Sequence, residues 1–277
     1  MFDGATNSQM LETLQEQMSL KNRVALVTGA AGAIGSVISE TLAELGSDLV
    51  LVDRQEELLE HKAQTLANKW NIKVESFVCD LESSVHREEL LVWLKYHYIK
   101  INILINNAAF VGTSDLQGWA CQFEEQSLET WRRAIEVNLT AAFDLCKGIA
   151  PLLKKASGSN IINIGSIYGE LGPDWHLYEG TSMGSPAAYA ASKGGLIQLT
   201  RWLATTLAPQ IRVNAISPGG VFRNQPEVFI KRYEARVPLG RMATEKDFRG
   251  AVAYLASGLS SYVTGQNLLV DGGWGIW

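Results

Sequence analysis

Three residues of this chain carry acid–base chemistry if the fold brings them together: Ser166, Tyr189 and Lys193. Tyr189 and Lys193 stand four positions apart, so a helix would place both side chains on one face. An ammonium beside a phenol favours the phenolate, and we therefore expect the pKa of Tyr189 to fall from about 10 toward the working pH. Such a phenol can give and take a proton while an alcohol and a carbonyl interconvert. Tyrosine and lysine at this spacing also occur on solvated helix faces, so the pair needs further support.

That support begins with a glycine turn near the start of the chain. The apolar run Val24–Val27 is typical of a buried parallel strand, and the segment Thr28–Gly35, with the sequence TGAAGAIG, follows it at once. A turn of this kind lets the backbone approach a pyrophosphate and opens a helix, predicted from about Ile34 to Leu45, whose N-terminal N–H groups attract phosphate. The predicted dinucleotide contacts are Gly29, Ala31, Ala33, Ile34 and Gly35. A purely structural glycine turn is the alternative.

The next predicted strand, from Asp48 to Val52, bears on the choice of dinucleotide. It leads directly into Asp53, where an acidic side chain can accept hydrogen bonds from an adenosine ribose and would repel a 2′-phosphate. The sequence therefore favours NAD over NADP. Arg54 follows immediately and could bind that phosphate, so NADP stays open.

Further motifs come in a fixed order along the chain, and they carry a resemblance. They are Cys79-Asp80-Leu81, Asn106-Asn107-Ala108-Ala109, Val137-Asn138-Leu139, Ile164-Gly165-Ser166, the run from Arg212 to Gly219, Thr264-Gly265-Gln266 and Asp271-Gly272-Gly273. With the glycine turn and the Tyr-Lys pair, they resemble the short-chain dehydrogenase/reductase family in its compact form. The similarity runs from about Leu20 to Trp274.

The resemblance implies an α/β fold, namely a doubly wound (Rossmann) parallel sheet of about seven strands with helices on both faces. Alternating strand and helix patterns along the chain point the same way. It also implies a single catalytic domain over residues 19–277. The implied activity is an NAD(P)-dependent oxidoreductase that moves a hydride between the nicotinamide and a secondary alcohol or ketone.

Residue roles follow from the same resemblance. Ser166 is expected to position the substrate oxygen and Tyr189 to give or take its proton. Lys193 is expected to hold the nicotinamide ribose, and Asn138 to anchor a water that relays the proton. The remaining implied cofactor contacts are Asp80 and Leu81 at the adenine, Asn107 beside the adenosine ribose, and Gly219 and Val221 near the nicotinamide. For Asn107 and Asn138, the alternative is that each only satisfies backbone groups.

One departure from the family pattern is an insertion between Ser166 and Tyr189, which stand 23 positions apart, more than in most compact relatives. Its predicted substrate contacts are Trp175, His176 and Tyr178. Together with neighbouring hydroxyl and carboxylate side chains they suit a polyhydroxylated substrate, whereas a fatty acyl chain would want an apolar tunnel. A surface or subunit-contact loop is the alternative.

Another departure follows Gly219, where many relatives place a threonine and this chain has Arg223 and Asn224. Arg223 could bind an anionic substrate group through its planar fork. A substrate lid is predicted over about residues 222–241, and its cations strengthen the expectation of an anionic polyol. These cations are Lys231, Arg232, Arg236 and Arg241. An ordinary solvated helix face is the alternative.

Two smaller departures concern the subgroup. Ala33 replaces a glycine of the compact pattern, and the resulting glycine spacing is similar to that of the extended branch of the superfamily. The amino-acid sequences of two segments, Tyr178 to Met183 and Ser217 to Pro226, resemble those of bacterial family members from surface-sugar and flagellin-modification pathways.

Composition narrows the class of protein. The chain has 277 residues, 47% hydrophobic content and a formal net charge of −5, so it can bury a large core and does not suit nucleic acid. Cys79, Cys121 and Cys146 lack metal-ligand spacing, which predicts no metal and a reducing, cytoplasmic location. No run is long enough to span a membrane. The family resemblance implies a homodimer or homotetramer.

Residues 1–18 precede the region of resemblance and lack the features of a signal peptide. Met10, Leu11, Leu14 and Met18 fall at helical spacing, which predicts a short amphipathic arm. A helix that short is marginal alone in water, so we expect it to dock on its own domain or on a neighbouring subunit.

Two further functions stay open at this point. The same fold could reduce a 3-oxoacyl thioester. Alternatively, the chain could be a non-catalytic dinucleotide-binding sensor or scaffold whose Ser-Tyr-Lys set is idle.

Overall fold

The computed structural model describes residues 12–111 and 116–277, in which strands and helices alternate. The strands are β1 (Val24–Thr28), β2 (Asp48–Asp53), β3 (Val74–Val78), β4 (Ile103–Asn106), β5 (Ser159–Ile164), β6 (Ile211–Pro218) and β7 (Asn267–Val270). The helices are α1 (Leu14–Met18), α2 (Ala33–Glu44), α3 (Glu56–Trp70), α4 (Ser84–His97), α5 (Leu128–Ile135), α6 (Ala141–Leu153), α7 (Ala187–Leu207), α8 (Glu227–Arg236) and α9 (Arg249–Ala256). A π-helical turn, Glu136–Thr140, joins α5 to α6.

The strands form one parallel sheet in the order β3-β2-β1-β4-β5-β6-β7. The chain moves to opposite sides of β1 in its two halves, so β1 and β4 flank the point where the order reverses. Ligands of open parallel sheets bind outside the carboxyl ends of the strands at such a point. The predicted doubly wound sheet is confirmed.

The sheet is buried on both faces, and β1 and β4 are accordingly almost continuous apolar runs. On one face, Ile38 and Leu42 of α2 pack with Leu59 of α3 and Val252 of α9. On the other face, the core is built by α4, α6 and α7, which contribute Leu90, Leu94, Leu145, Ile149 and Leu203. Helices on both sides leave the carboxyl edge of the sheet as the place where polar side chains can meet.

The strand register aligns the predicted site segments at that edge. Thr28 lies opposite Val52, so the glycine turn after β1 stands beside Asp53 at the end of β2. Ile105 of β4 lies opposite Val27, which brings the following asparagines to the same turn.

The N-terminal arm is described from residue 12 onward; Met10 and Leu11 of the predicted amphipathic pattern lie outside the described residues. Helix α1 begins with a capping box between Thr13 and Glu16. The backbone of Gln17 lies against Gly258, where an added Cβ would come within 3.1 Å of the Gln17 carbonyl oxygen. The described part of the arm therefore contacts its own domain.

Candidate active site

The glycine turn after β1 is shaped by contacts that only glycine permits. Gly29 has a φ of +62°, and a Cβ on Gly35 would stand 2.0 Å from the Gly29 carbonyl oxygen. Helix α2 starts at Ala33, and its N-cap, Gly32, offers no side-chain cap to the first N–H groups. Ala33 departs from the compact pattern without strain because it is already the first helical residue. The uncapped helix start and the Cβ-free cradle fit a pyrophosphate.

Asn107 clamps this turn from the neighbouring strand. Its Nδ2 donates to the carbonyl oxygens of Thr28 and Gly29, each at 3.0 Å. The Thr28 Oγ1 accepts the backbone N–H groups of Asn107 and Ala108 at 3.0 and 3.1 Å. In the structure the Asn107 side chain thus satisfies backbone groups of the turn, and its place beside the adenosine ribose stays a prediction.

Asp53 joins the end of β2 to the same turn. Its Oδ2 accepts the N–H of Ala31 at 3.0 Å, and its Oδ1 accepts the N–H groups of Arg54 and Gln55 at 2.8 and 3.2 Å. The carboxylate is half-buried at the edge where an adenosine ribose would lie, whereas Arg54 is exposed. This placement suits the selection between NAD and NADP that the sequence predicts for the pair.

The predicted adenine contacts lie at the end of β3. Asp80 Oδ1 accepts the N–H of Glu82 at 3.0 Å, and Leu81 is buried. The Leu81 carbonyl accepts a hydrogen bond of 2.6 Å from Arg87, a buried side chain that also pairs with Glu136 at 2.7 Å. The adenine-side loop is thereby tied to the π-helical turn that carries Asn138.

The proposed catalytic side chains meet where β5 ends beside α7. Ser166 lies just past β5 and is buried, with its Oγ accepting the N–H of Tyr168 at 3.2 Å. Tyr189 lies in the first turn of α7 and Lys193 one turn later. The Nζ of Lys193 stands 5.9 Å from the centre of the Tyr189 ring and donates to the Ile164 carbonyl at 2.7 Å.

The expected fall in the pKa of Tyr189 is wrong for this structure. Burial raises the pKa of Tyr189, and the nearby Ser166 hydroxyl opposes only part of that rise. Lys193 does not supply the lowering because its ammonium is directed to the Ile164 carbonyl. Burial instead lowers the pKa of Lys193 to about 8.

Asn138 lies inside the π-helical turn, a feature that often marks functional sites. Its Oδ1 accepts the N–H of Phe110 at 2.6 Å, and its Nδ2 donates to the Phe110 carbonyl at 3.2 Å and to Ser192 Oγ at 2.9 Å. The side chain thus connects the loop after β4 with α7, close to the Tyr-Lys pair.

Gly219 and Val221 continue from the carboxyl end of β6. The N–H of Gly219 donates to Val270 at 3.0 Å, and a Cβ there would come within 2.7 Å of Asp271 Cα. The Val221 carbonyl accepts a hydrogen bond of 2.7 Å from the Gln225 side chain. This segment leads into the predicted lid.

The insertion and the lid pack together over this edge of the sheet. Tyr178 donates to or accepts from the Tyr168 phenol at 2.7 Å, and its ring lies 5.5 Å from that of Phe229 on α8. Trp175 and His176 are more exposed, and His176 Nδ1 lies 3.1 Å from Glu179.

The cations of the lid all have partners in the structure. Two of those on α8 reach the insertion: Arg236 pairs with Asp174 at 2.5 Å, and Arg232 donates to the Glu179 carbonyl at 2.6 Å. The other pairs are Lys231 with Glu227 at 2.6 Å, Arg241 with Asp247 at 2.7 Å, and Arg223 with Glu245. Asn224 has a φ of +55° and shapes the loop before α8.

Two aromatic residues that the sequence reasoning missed hold the lid in place. Tyr233 stacks on Trp274 with ring centres 4.5 Å apart, and its hydroxyl accepts the Gly220 N–H at 2.5 Å. Burial raises the pKa of Tyr233 to about 12, so it stays a neutral phenol. The only sequence signal was aromatic spacing on α8, which does not identify the partner far along the chain.

Metal sites, disulfide bonds and membrane-spanning helices were each sought within the part of the chain that the structure describes. No group of three or more His, Cys, Asp or Glu side chains there could hold a metal ion. All three cysteines are free thiols. None of the helices described has both the length and the apolarity to cross a membrane.

Known proteins are similar to this chain over most of its length. A family model described as enoyl-(acyl carrier protein) reductase matches residues 29–275. Trans-4-hydroxycyclohexanecarboxylate dehydrogenase of Sinomonas cyclohexanicum is 34% identical over 91% of this chain and 92% of its own length. The post-translational flagellin modification protein A of Campylobacter coli is 30% identical over 93% and 100%.

An uncharacterized short-chain type dehydrogenase/reductase of Sinorhizobium fredii is also 34% identical over 91% of this chain, but the chain spans only 43% of that protein. Among solved structures, a gluconate 5-dehydrogenase from Burkholderia cenocepacia in complex with NADP and tartrate has a TM-score of 0.84 at 26% identity, covering 96% of this chain and 100% of its own. An NAD⁺-bound xylitol dehydrogenase has a TM-score of 0.80 at 31% identity, covering 91% and 99%.

Proposed function

Because this chain belongs to the short-chain dehydrogenase/reductase family and is an NAD(P)-dependent oxidoreductase acting on CH–OH and keto groups, we propose that its substrate is a small polyhydroxylated compound. The observation that carries the proposal is the polar insertion, which packs beside Ser166 through the Tyr168–Tyr178 contact. Gluconate and xylitol dehydrogenases among the similar structures support it.

In this proposal the chain's own residues bind the substrate and move one proton. The dinucleotide supplies the hydride acceptor or donor. Ser166 Oγ would hold the substrate oxygen, and the Tyr189 phenol would transfer its proton. Lys193, whose pKa of about 8 leaves it mostly protonated at neutral pH, would hold the nicotinamide ribose hydroxyls.

Substitution of Tyr189 tests this function. In Tyr189→Phe the ring keeps its packing but has no proton to transfer, so we expect kcat to fall by about 10²- to 10⁴-fold. The control is Tyr254→Phe, at a tyrosine outside the site on α9, which should keep its rate. Near-normal turnover by Tyr189→Phe would refute the assigned role.

The alternative enzymatic function is reduction of a 3-oxoacyl thioester, which the description of the matched family model favours. It needs an apolar tunnel for the acyl chain, whereas the insertion lines a cavity at the Tyr189 turn of α7 with hydroxyl and carboxylate side chains, namely Thr181, Ser182 and Glu179. Steady-state rates with a 3-oxoacyl thioester and with a panel of polyols and ketoses separate the two. Efficient reduction of the thioester alone would select the alternative.

We also propose a preference for NAD. The support is the half-buried Asp53 carboxylate at the adenosine side, beside an Arg54 that is exposed. Titration with NADH and NADPH, followed by energy transfer from the tryptophans, should give the lower Kd for NADH. A lower Kd for NADPH would mean that Arg54 dominates.

Two further expectations stay predictions. Assembly into a homodimer or homotetramer rests on the family resemblance, and a cytoplasmic location rests on cysteine usage. An anionic group on the substrate was predicted from Arg223 and the other cations of the lid, and in the structure each of these cations has a partner.

A further inference from the structure

A cavity of about 900 Å³ opens between the insertion and the segment that precedes α5. One wall is formed by residues 120–126 and the other by residues 173–185. Its floor is the first turn of α7, where Ala187 and Ala190 border it on either side of Tyr189 in sequence. The cavity therefore lies at the helical turn that carries Tyr189, and it is large enough for the remainder of a small substrate.

The charge around this cavity has one sign. Among its described lining residues there is no lysine or arginine, and the charged side chain is the carboxylate of Glu179. The undescribed segments, residues 1–11 and 112–115, contain no lysine or arginine in the sequence either. Two lid cations reach this wall without being among the lining residues, and both are engaged there: Arg236 pairs with Asp174 at 2.5 Å and Arg232 donates to the Glu179 backbone at 2.6 Å.

Neutral polar groups, by contrast, are available. The Ser185 hydroxyl is buried close to the Tyr178 phenol, and no described residue stands in hydrogen-bonding geometry with it. Gln126 uses its Oε1 to cap the Ala187 N–H at 3.0 Å, which leaves its amide N–H groups for a ligand. Trp175 presents an aromatic surface that is 58% exposed.

We infer that this cavity receives the uncharged, hydroxyl-bearing remainder of the substrate, and that the enzyme prefers a neutral polyol to its phosphorylated or carboxylated counterpart. The inference rests on the proposed function and makes its substrate class narrower. A hydroxyl chain can satisfy Ser185 and Gln126 while its C–H groups lie against Trp175. An anion in the same place would lose water, meet no lysine or arginine among the lining residues and face Glu179.

The test compares matched substrates on the full chain with saturating dinucleotide. Sorbitol, sorbitol 6-phosphate and gluconate form one set, and xylitol with its phosphate ester forms another. We expect kcat/KM for the neutral member to exceed that of its anionic counterparts by at least about tenfold, since a buried unpaired anion is disfavoured. An anionic member that is turned over as well as or better than the neutral one would overturn the inference.

Two substitutions locate the effect. Glu179→Lys replaces an exposed carboxylate with an ammonium at the cavity, and it should reduce the neutral-to-anionic ratio by about tenfold. Glu88→Lys, on the exposed side of α4, makes the same charge change away from the cavity and should leave the ratio unchanged. Equal effects of the two would mean that the preference does not arise at the cavity.

A binding measurement separates failure of the inference from failure of the proposed function. Calorimetric titration with the same polyols should show binding that Trp175→Ala weakens by about tenfold, through loss of its exposed aromatic surface. Such binding without turnover would keep the cavity assignment and refute polyol oxidation. Turnover of the anionic members, unaltered by Glu179→Lys, would refute the cavity assignment and keep the oxidoreductase function. If the polyols neither bind nor react, both fail.

Discussion

The dinucleotide side and the substrate side of the cleft are built by different means. Around the glycine turn, the contacts are mostly to backbone: Asn107 and Asp53 bind carbonyl and N–H groups of residues 28–31. Over the reaction centre, the insertion and the lid are held by side chains, with Tyr178, Phe229, Tyr233 and Trp274 in sequential ring contact. Close backbone contacts allow only a few residue types at the positions that make them. A cluster of packed side chains, by contrast, tolerates many substitutions that keep the same total volume.

This difference suits a cleft whose dinucleotide side binds one fixed ligand and whose substrate side can be built for different substrates. A dinucleotide presents the same pyrophosphate to every enzyme that uses it, so the glycine positions cannot vary freely. The substrate side covers the reacting atoms with a replaceable set of packed rings and ion pairs.

The largest effect is expected from a methyl group on the dinucleotide side. Gly35→Ala would place a Cβ 2.0 Å from the Gly29 carbonyl oxygen, so either the turn or α2 must move. We expect the free energy of unfolding to fall by about 3 kcal/mol and dinucleotide binding to weaken. Urea denaturation and an NADH titration measure the two effects.

Gly172→Ala, at the start of the insertion, is the matched substitution on the substrate side. Apart from its two chain neighbours, no described residue has an atom within 4 Å of the added Cβ. Its stability should stay the same or rise by up to about 1 kcal/mol, because alanine restricts the unfolded chain. Similar losses in the two variants would contradict the contrast between the two sides.

The second prediction concerns Lys193, which lies where the two sides meet. Its pKa is about 8 in the folded protein and about 10.4 in an unfolded chain, so between these values the unfolded state binds more protons. The contribution of Lys193 to stability should therefore rise with pH across that window, by at most about 1.4 kcal/mol per pH unit.

Urea denaturation of the wild type and of Lys193→Met at pH 7.5, 8.5 and 9.5 measures this contribution as the difference between the two proteins. Methionine fills a similar volume without the charge. A difference that does not change with pH would mean that the buried amine keeps its ordinary pKa.

Much of the dinucleotide side could be predicted from the sequence. Its signals are local: an apolar strand, a glycine turn and an acidic residue at the next strand end lie within 30 consecutive residues, Val24–Asp53. The predicted helix after the turn, from Ile34 to Leu45, differs from the observed Ala33–Glu44 by one residue at each end.

The substrate side could not be predicted to the same depth because its contacts join distant segments. The sequence places cations on α8, but it does not show that Arg236 meets Asp174, which stands 62 positions earlier. The sequence also gives no sign of the π-helical turn at Glu136–Thr140, which carries Asn138, because its apolar spacing is that of an ordinary helix. The predicted fall in the pKa of Tyr189 was wrong for a similar reason. Helical spacing places Lys193 on the same face as Tyr189, but it does not fix where the ammonium points.

The smallest effect on stability is expected from the ion pair that joins the lid to the insertion. Asp174→Asn removes the charge that faces Arg236 but keeps an oxygen to accept the His176 N–H, now at 3.1 Å. Both side chains of the pair are partly exposed, so stability should fall by less than about 1 kcal/mol.

The same substitution should nevertheless raise the KM for the substrate by about fivefold with kcat unchanged, since it loosens only the cover over the substrate. Glu40→Gln is the matched change on the dinucleotide side. Glu40 pairs with Lys69 at 2.5 Å, and the side chains of this pair are partly exposed, like those of Asp174 and Arg236. It should alter stability as little and leave the KM for the substrate unaffected. If Asp174→Asn leaves that KM unchanged, or Glu40→Gln raises it equally, the ion pair has no specific part in holding the lid. Steady-state kinetics of both variants, with urea denaturation alongside, would distinguish a local effect on the lid from a general loss of stability.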